Sequence, residues 1–194
     1  MRALWQRLRG KIARFGLRED GIAAVEFALI LPVMLFVYIG SVEASALISM
    51  DRRVQSIAGT LGDLVSRADA SVTSGDLLDY FRAAGGIMTP YPTDKLRQTV
   101  TQVSVSADGK TATVVWSYEF DYTKASYAVG TKHRKDSTFP LPPQMATIAK
   151  GKTVIVSEAS SSYLPLYGFV YAKPIDLKRE NFFMPRFGKP IVVK

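Results

Sequence analysis

Between Ile22 and Val42 the chain reads IAAVEFALILPVMLFVYIGSV, 21 residues with a single charge. As a helix rising 1.5 Å per residue, such a run covers about 30 Å, the thickness of a bilayer's hydrocarbon core, and is long enough to span it. Arg2, Arg7, Arg9, Lys11, Arg14 and Arg18 precede the run with acids only at Glu19 and Asp20, and the next charges beyond it are Glu43 and Asp51. The positive-inside rule then keeps the amino terminus in the cytosol and sends the rest across the membrane. Three ordinary readings compete here. One is a single-pass anchor, and a second is a secretory signal cut at the A-x-A site Ala44-Ser45-Ala46. The third, a buried helix of a soluble protein, fits a long uncharged run behind a basic leader least well.

Composition narrows the function. The chain has 194 residues, enough for one ordinary domain with appendages. It contains no Cys, which excludes disulfide scaffolds, zinc ribbons and thiol nucleophiles. A single His133 removes most metal sites and every catalytic arrangement that needs two imidazoles. The formal charge is +8, but 6 of the 25 basic and 2 of the 17 acidic residues lie in positions 1–21, leaving +4 for the rest. The basic excess is partly a terminal feature and gives little support to a nucleic-acid surface. The expectation is a protein that is not an enzyme, with no catalytic residues, no metal, no cofactor, no nucleic acid and no small-molecule substrate.

None of the ordinary readings explains Glu26, a carboxylate inside the apolar run that costs on the order of 2.5–3.5 kcal/mol at a helix centre and less nearer the interface. Gly21 precedes it by five positions, and Phe27 follows it. Cleavage after Gly21 would make Ile22 the new amino terminus and Glu26 the fifth mature residue. The free ammonium and the carboxylate would then lie one helical turn apart, able to pair within one chain or between neighbouring subunits.

The segment DGIAAVEFALILPV resembles the prepilins cut by a type IV prepilin peptidase. Within that class AAVEFALILP, followed by Gly40 and Glu43, is similar to the TadE family of Tad (Flp) pilus assembly proteins, and DRRVQSIAGTLGDLVSR at 51–67 resembles the stretch after the membrane helix in TadE/TadG-type proteins. The resemblance implies a minor pilin or pseudopilin anchored once in the bacterial inner membrane. Its amino terminus would be cytoplasmic, its carboxyl-terminal domain periplasmic, and its place that of an assembly factor or subunit of an adhesive fibre. The implied partners are the inner membrane, the prepilin peptidase, other Tad pilins and the pilus assembly platform. Gly21 and Ile22 would flank the processing site, with Glu26 and Phe27 acting in assembly.

The expected organisation is a leader at 1–21, a transmembrane helix at 22–42, an amphipathic continuation at 43–68 and an α+β domain at 69–194. In the continuation Leu47, Met50, Val54, Ile57, Ala58, Leu61, Leu64 and Val65 recur at three- and four-residue spacing, the stripe of a helix half covered by protein. Pro32 removes a helical hydrogen bond and predicts a bend or local loosening in the span. Gly40, Gly59 and Gly62 each lower helix preference by up to about 1 kcal/mol.

Ser74 to Arg82 reads as a short capped helix ended by Gly85-Gly86. Ala112, Val114, Trp116, Tyr118 and Phe120 alternate with polar residues as one face of a strand, and Val103 and Val105 face it across Asp108-Gly109, a hairpin signal. A third strand is predicted at 153–160, and Leu141-Pro142 enters a short turn or helix. The carboxyl-terminal stretch, broken by Pro165, Pro174, Pro185 and Pro190, predicts loop with one edge strand near 182–183 or 191–193. Residues 120–139 show no pattern. Together these features resemble a TadE-type extracytoplasmic domain, so the predicted fold class is α+β: a long amino-terminal transmembrane and amphipathic helix, then a small pilin-like domain with an antiparallel sheet.

Sharper chemistry finds little footing. Gly151-Lys152-Thr153 lacks the upstream Gly of a phosphate loop, with Ala146 in its place. His133 lies in TKHRKDS, which reads as a solvated loop with Asp136 nearby, and Ser160, Ser161 and Ser162 have no G-x-S-x-G setting. Trp116, Tyr118 and Phe120 read as core. Tyr163, Tyr167, Phe169 and Tyr171, in a stretch without a regular face, are the candidate partner surface, and the Lys and Arg residues after 170 could meet phospholipid or an acidic partner but read first as a solvated face.

Overall fold

A computed structural model describes residues 22–124, 126–129, 132–165, 168 and 173–194. The chain divides into two compact units, Met1–Ser45 and Ala46–Lys194.

In the first unit the described residues belong to helix α1 (Ile22–Ser66). Pro32 lies inside α1, whose helical path continues through it without melting. Its apolar side chains are exposed all round, Leu29 at 71% and Tyr38 at 67% among them. A helix apolar on every side is suited to lipid rather than water, and its most apolar stretch, with a mean hydropathy of 2.4, is not buried.

The second unit is α+β. The later part of α1 supplies Met50, Val54, Ile57, Ala58, Leu61 and Val65 to its core at the spacing of one helix face. After β1 (Ser71–Val72) comes α2 (Ser74–Gly85), which starts where Thr73 and Asp76 form a reciprocal capping box. The Thr73 hydroxyl and backbone amide hold the Asp76 carboxyl below the usual carboxylate range. Leu77, Phe81 and Ala84 of α2 join the same core.

The main sheet is antiparallel with order β4-β3-β2-β5-β6, built from β2 (Arg97–Val105), β3 (Ala112–Asp121), β4 (Ser126–Val129), β5 (Thr153–Tyr163) and β6 (Ile175–Phe183). A short helix, α3 (Pro143–Ile148), lies between β4 and β5, and β7 (Val192–Val193) pairs in parallel with β1. At the β2–β3 hairpin Gly109 has a φ of 74°, a left-handed turn position, and a Cβ there would also crowd the Lys150 side chain. The expected Asp-Gly hairpin is present.

Both faces of the sheet are covered in part. Val100, Phe120, Ile155 and Ala159 meet α1 and α2 on the inner face. Val103, Val105, Ala112, Val114, Val154 and Val156 form a second core on the outer face with Phe139 and Ala149, against which Leu141 and Met145 pack. Close approach on the inner face explains one glycine: a Cβ on Gly62 would run into the Phe183 ring and the Ser157 hydroxyl. Ser157 itself donates to the carbonyl of Ala58.

Three expectations need correction. Ala112, Val114, Trp116, Tyr118 and Phe120 do not share one face, because the register shifts between Gln102 and Val103: Val103 pairs with Val114 but Gln102 pairs with Trp116. The extra residue, Val115, is a bulge that reverses the alternation, sending Val114 outward while Phe120 stays inward. The carboxyl-terminal stretch is not mainly loop, since β6 runs for nine residues between Pro174 and Pro185 as an edge strand. Finally, the patternless region contributes β4, on the opposite edge.

Candidate functional site

The amino-terminal helix is the first candidate. Within α1 Glu26 lies one turn after Ile22, with both side chains exposed. Residues spaced by four stand about 5–6 Å apart between Cβ atoms, within reach of an ammonium–carboxylate pair if Ile22 carried a free amine. Phe27 is also exposed. Gly21 falls outside the described residues. The alternative A-x-A site is helical: Ala44, Ser45 and Ala46 all belong to α1, and the Ala46 carbonyl accepts a hydrogen bond from the Tyr91 hydroxyl at 3.1 Å.

Of the aromatic partner surface, Tyr167, Phe169 and Tyr171 lie outside the described residues. Tyr163 is 8% exposed and belongs to the inner core, so it is part of the packing of β5 rather than of an exposed surface. Trp116 and Tyr118 are half-buried, their rings 5.6 Å apart, and the indole N–H donates to the Ile191 carbonyl at 2.8 Å, fixing the carboxyl-terminal segment to the sheet. The backbone N–H of Ile191 in turn donates to the buried Gln102 side chain at 2.8 Å.

Sequence reasoning missed a charged site on the outer face. Glu119 of β3, Thr99 of β2, Glu158 of β5 and Glu180 of β6 form a row, since Thr99 pairs with both Glu119 and Glu158, and Glu158 pairs with Glu180. His133 is not in a solvated loop beside Asp136. Its Nε2 lies 2.7 Å from Glu158, its ring meets Phe139 edge-on, and Lys132 reaches the other Glu158 oxygen at 2.6 Å. Desolvation at the sheet surface, aided by the neighbouring Glu158 charge, pushes the Glu180 carboxyl above its ordinary range. These partners are distant in sequence, so only strand register, which neither residue's local pattern encodes, could have joined them.

Other ion pairs fasten α1 to β6 and to the segment that follows it: Arg179 to Asp51, and Arg186 to Asp63. The Arg67 hydrogen bond, with help from Arg186, holds the Asp63 carboxyl below its usual range.

An exposed apolar helix followed by a small α+β domain is compatible with membrane anchoring. Residues 21–60 match the family model described as TadE-like protein. That match begins at Gly21 and takes in the whole apolar run and the first part of the domain's helix, and the family suggests association with the Tad pilus. No curated protein and no solved structure matches the chain.

Proposed function

We propose that this chain is a minor pilin, or pseudopilin, of the Tad (Flp) pilus, inserted once in the inner membrane and matured by a prepilin peptidase between Gly21 and Ile22. Its role in this reading is assembly rather than catalysis, with its amino terminus starting in the cytosol and its domain facing the periplasm. The observation that carries the reading is the amino-terminal helix. Its apolar run at 22–42 carries one carboxylate, Glu26, on an otherwise apolar and exposed surface, and that run lies wholly within the TadE-like match.

The mechanism follows from the solvent. In lipid an apolar helix gains little from hydrophobic burial against another, so packing and polar contacts decide its neighbours. A charge pair between Glu26 and the amine created at Ile22 lowers the cost of leaving either group unpaired in hydrocarbon. Cleavage would supply Glu26 with an amine partner, which couples maturation to lateral association.

The test is Glu26→Ala in the native host. Processing is expected to be normal while surface piliation falls severely, and Glu26→Gln should resemble it because the amide keeps the shape but not the charge. Wild-type piliation in both variants would overturn the charge-pair mechanism.

A further inference from the structure

The net charge beyond Gly21 is unevenly placed. Residues 22–194 carry +4, and +3 of it sits in three loops at and beside one end of the sheet. Lys110 lies in the β2–β3 turn, Lys150 and Lys152 between α3 and β5, and Arg134 and Lys135 after β4, against Asp108 and Asp136 as the acids of these loops. What remains of residues 22–194 is nearly neutral at +1, and it contains every ion pair among the described residues. All five cations are exposed, and among the described residues none has a carboxylate at salt-bridge distance.

The backbone locks two of the loops together. Val105 donates to the Lys152 carbonyl at 3.0 Å and Gly151 to the Ser106 carbonyl at 3.2 Å, while the Lys150 side chain lies against Gly109. The Asp136 amide donates to the Val114 carbonyl at 2.8 Å, which sets Arg134 and Lys135 along β3 from the same turn. Asp108 is engaged within its own turn, accepting from the Ser106 hydroxyl and the Lys110 amide, and of the three lysines its charge reaches Lys150. This end of the sheet is the one that α1 reaches last: Asp51 pairs with Arg179 midway along β6, whereas Gly62 meets Phe183 at its end. Phe183 pairs with Ile155 near the start of β5, and Thr153 pairs with Ser104 beside the turn. From Ala46 to Gly62 the helix rises about 24 Å, so the cations lie well away from the chain's entry into the domain.

The composition of the two locked loops limits what they recognise. SADGKT at 106–111 and AKGKT at 149–153 contain no aromatic side chain on which a base would stack and no Arg whose planar fork would select a phosphate. Lysine ammoniums are point charges on flexible stems, so this surface responds to negative charge density rather than to shape. Unpaired charges of one sign held together speed the capture of an oppositely charged partner and make its binding depend on salt. We propose that Lys110, Lys150 and Lys152, flanked by Arg134 and Lys135, form a docking surface for an acidic segment of a partner protein, a run of Asp or Glu side chains. The surface requires neither cleavage after Gly21 nor a pilus.

The test uses the full chain in a nonionic detergent, with the backbone amide signals of Lys110, Gly151 and Lys152 followed by NMR. The probes are an end-blocked hexaglutamate peptide and a short DNA duplex. Hexaglutamate is expected to give saturable shifts at these residues that weaken as added salt shortens the Debye length. The triple variant K110Q/K150Q/K152Q should lose affinity about tenfold or more, whereas K95Q/K124Q/K178Q, which removes the same charge toward the other end of the sheet, should stay within about twofold of wild type. No shifts, shifts that do not saturate, or equal losses in the two variants would overturn the proposal, the last because it would show a response to net charge alone. Tighter binding of the duplex than of the peptide would overturn the choice of an acidic protein segment. Failure here leaves processing at Gly21 and the role of Glu26 unaffected, since those are read by mature mass and piliation.

Discussion

The two parts of α1 use their apolar side chains for opposite ends. In the first unit the apolar residues encircle the helix and stay exposed, whereas after Ala46 they are confined to one stripe and Val54, Ile57, Ala58, Leu61 and Val65 are fully buried. Hydrophobicity alone therefore does not determine where a helix goes. Its distribution does, because an all-round apolar surface is satisfied only by lipid or by other helices in lipid, while a stripe is satisfied by one sheet face.

The sharpest way to break that contrast is to remove the same side chain from each part. Leu61→Ala should destabilise the domain by about 2–5 kcal/mol, as a buried cavity in a packed core does. Leu29→Ala, in the exposed part, should leave the domain's unfolding midpoint unchanged when the full chain is denatured in detergent. Equal losses in both variants would mean that the first unit also contributes to the domain's core.

Close packing gives the next effect. Gly62→Val should cost about 1–3 kcal/mol, because the Phe183 ring and Ser157 hydroxyl occupy the space its side chain needs. Gly59→Ala, one turn earlier, meets only Asn181 at ordinary contact distance and should be neutral or slightly stabilising. A matched pair of urea titrations distinguishes the two, and an equal cost at both sites would deny the close helix–sheet approach.

Charge gives the smallest effect and sharpens the picture of the outer face. Since the Glu180 carboxyl is pushed above its ordinary range, the folded state holds its proton more tightly than the unfolded state does. Its contribution to stability is present below the ordinary carboxylate range and is lost as pH rises through the folded value. Glu180→Gln should therefore be slightly more stable than wild type at neutral pH, with the gain disappearing in acid. A thermal melt at each pH reads the difference, and a gain that instead appears only in acid would reverse the sign.

These regions also differ in how far the sequence revealed them. The apolar run, the stripe from Met50 to Val65, the Asp108-Gly109 hairpin and the helix after Thr73 are set by neighbours a few residues apart, and each is visible as a local period or cap. The bulge at Val115 is not, because its Val-Val-Trp context keeps an apolar alternation on paper while the backbone changes face. β6 escaped recognition for a related reason: as an edge strand bearing Asp176, Lys178, Arg179 and Glu180, it has the charges that discourage edge pairing and lacks a clean two-residue period. The apolar anchor with Glu26 was legible because its oddity is local. The pairing of His133 with Glu158 and the row of Glu119, Glu158 and Glu180 were not, because they arise from strand register between distant segments.

The most direct measurement is the intact mass and amino-terminal sequence of the protein isolated from its own membranes, with and without an active prepilin peptidase. A chain that begins at Ile22 when the peptidase is active, and keeps residues 1–21 when it is not, is the expected result. A chain that begins at Leu47, or one that keeps its leader in both strains, would contradict the pilin reading and leave a signal-cleaved or simply anchored envelope protein.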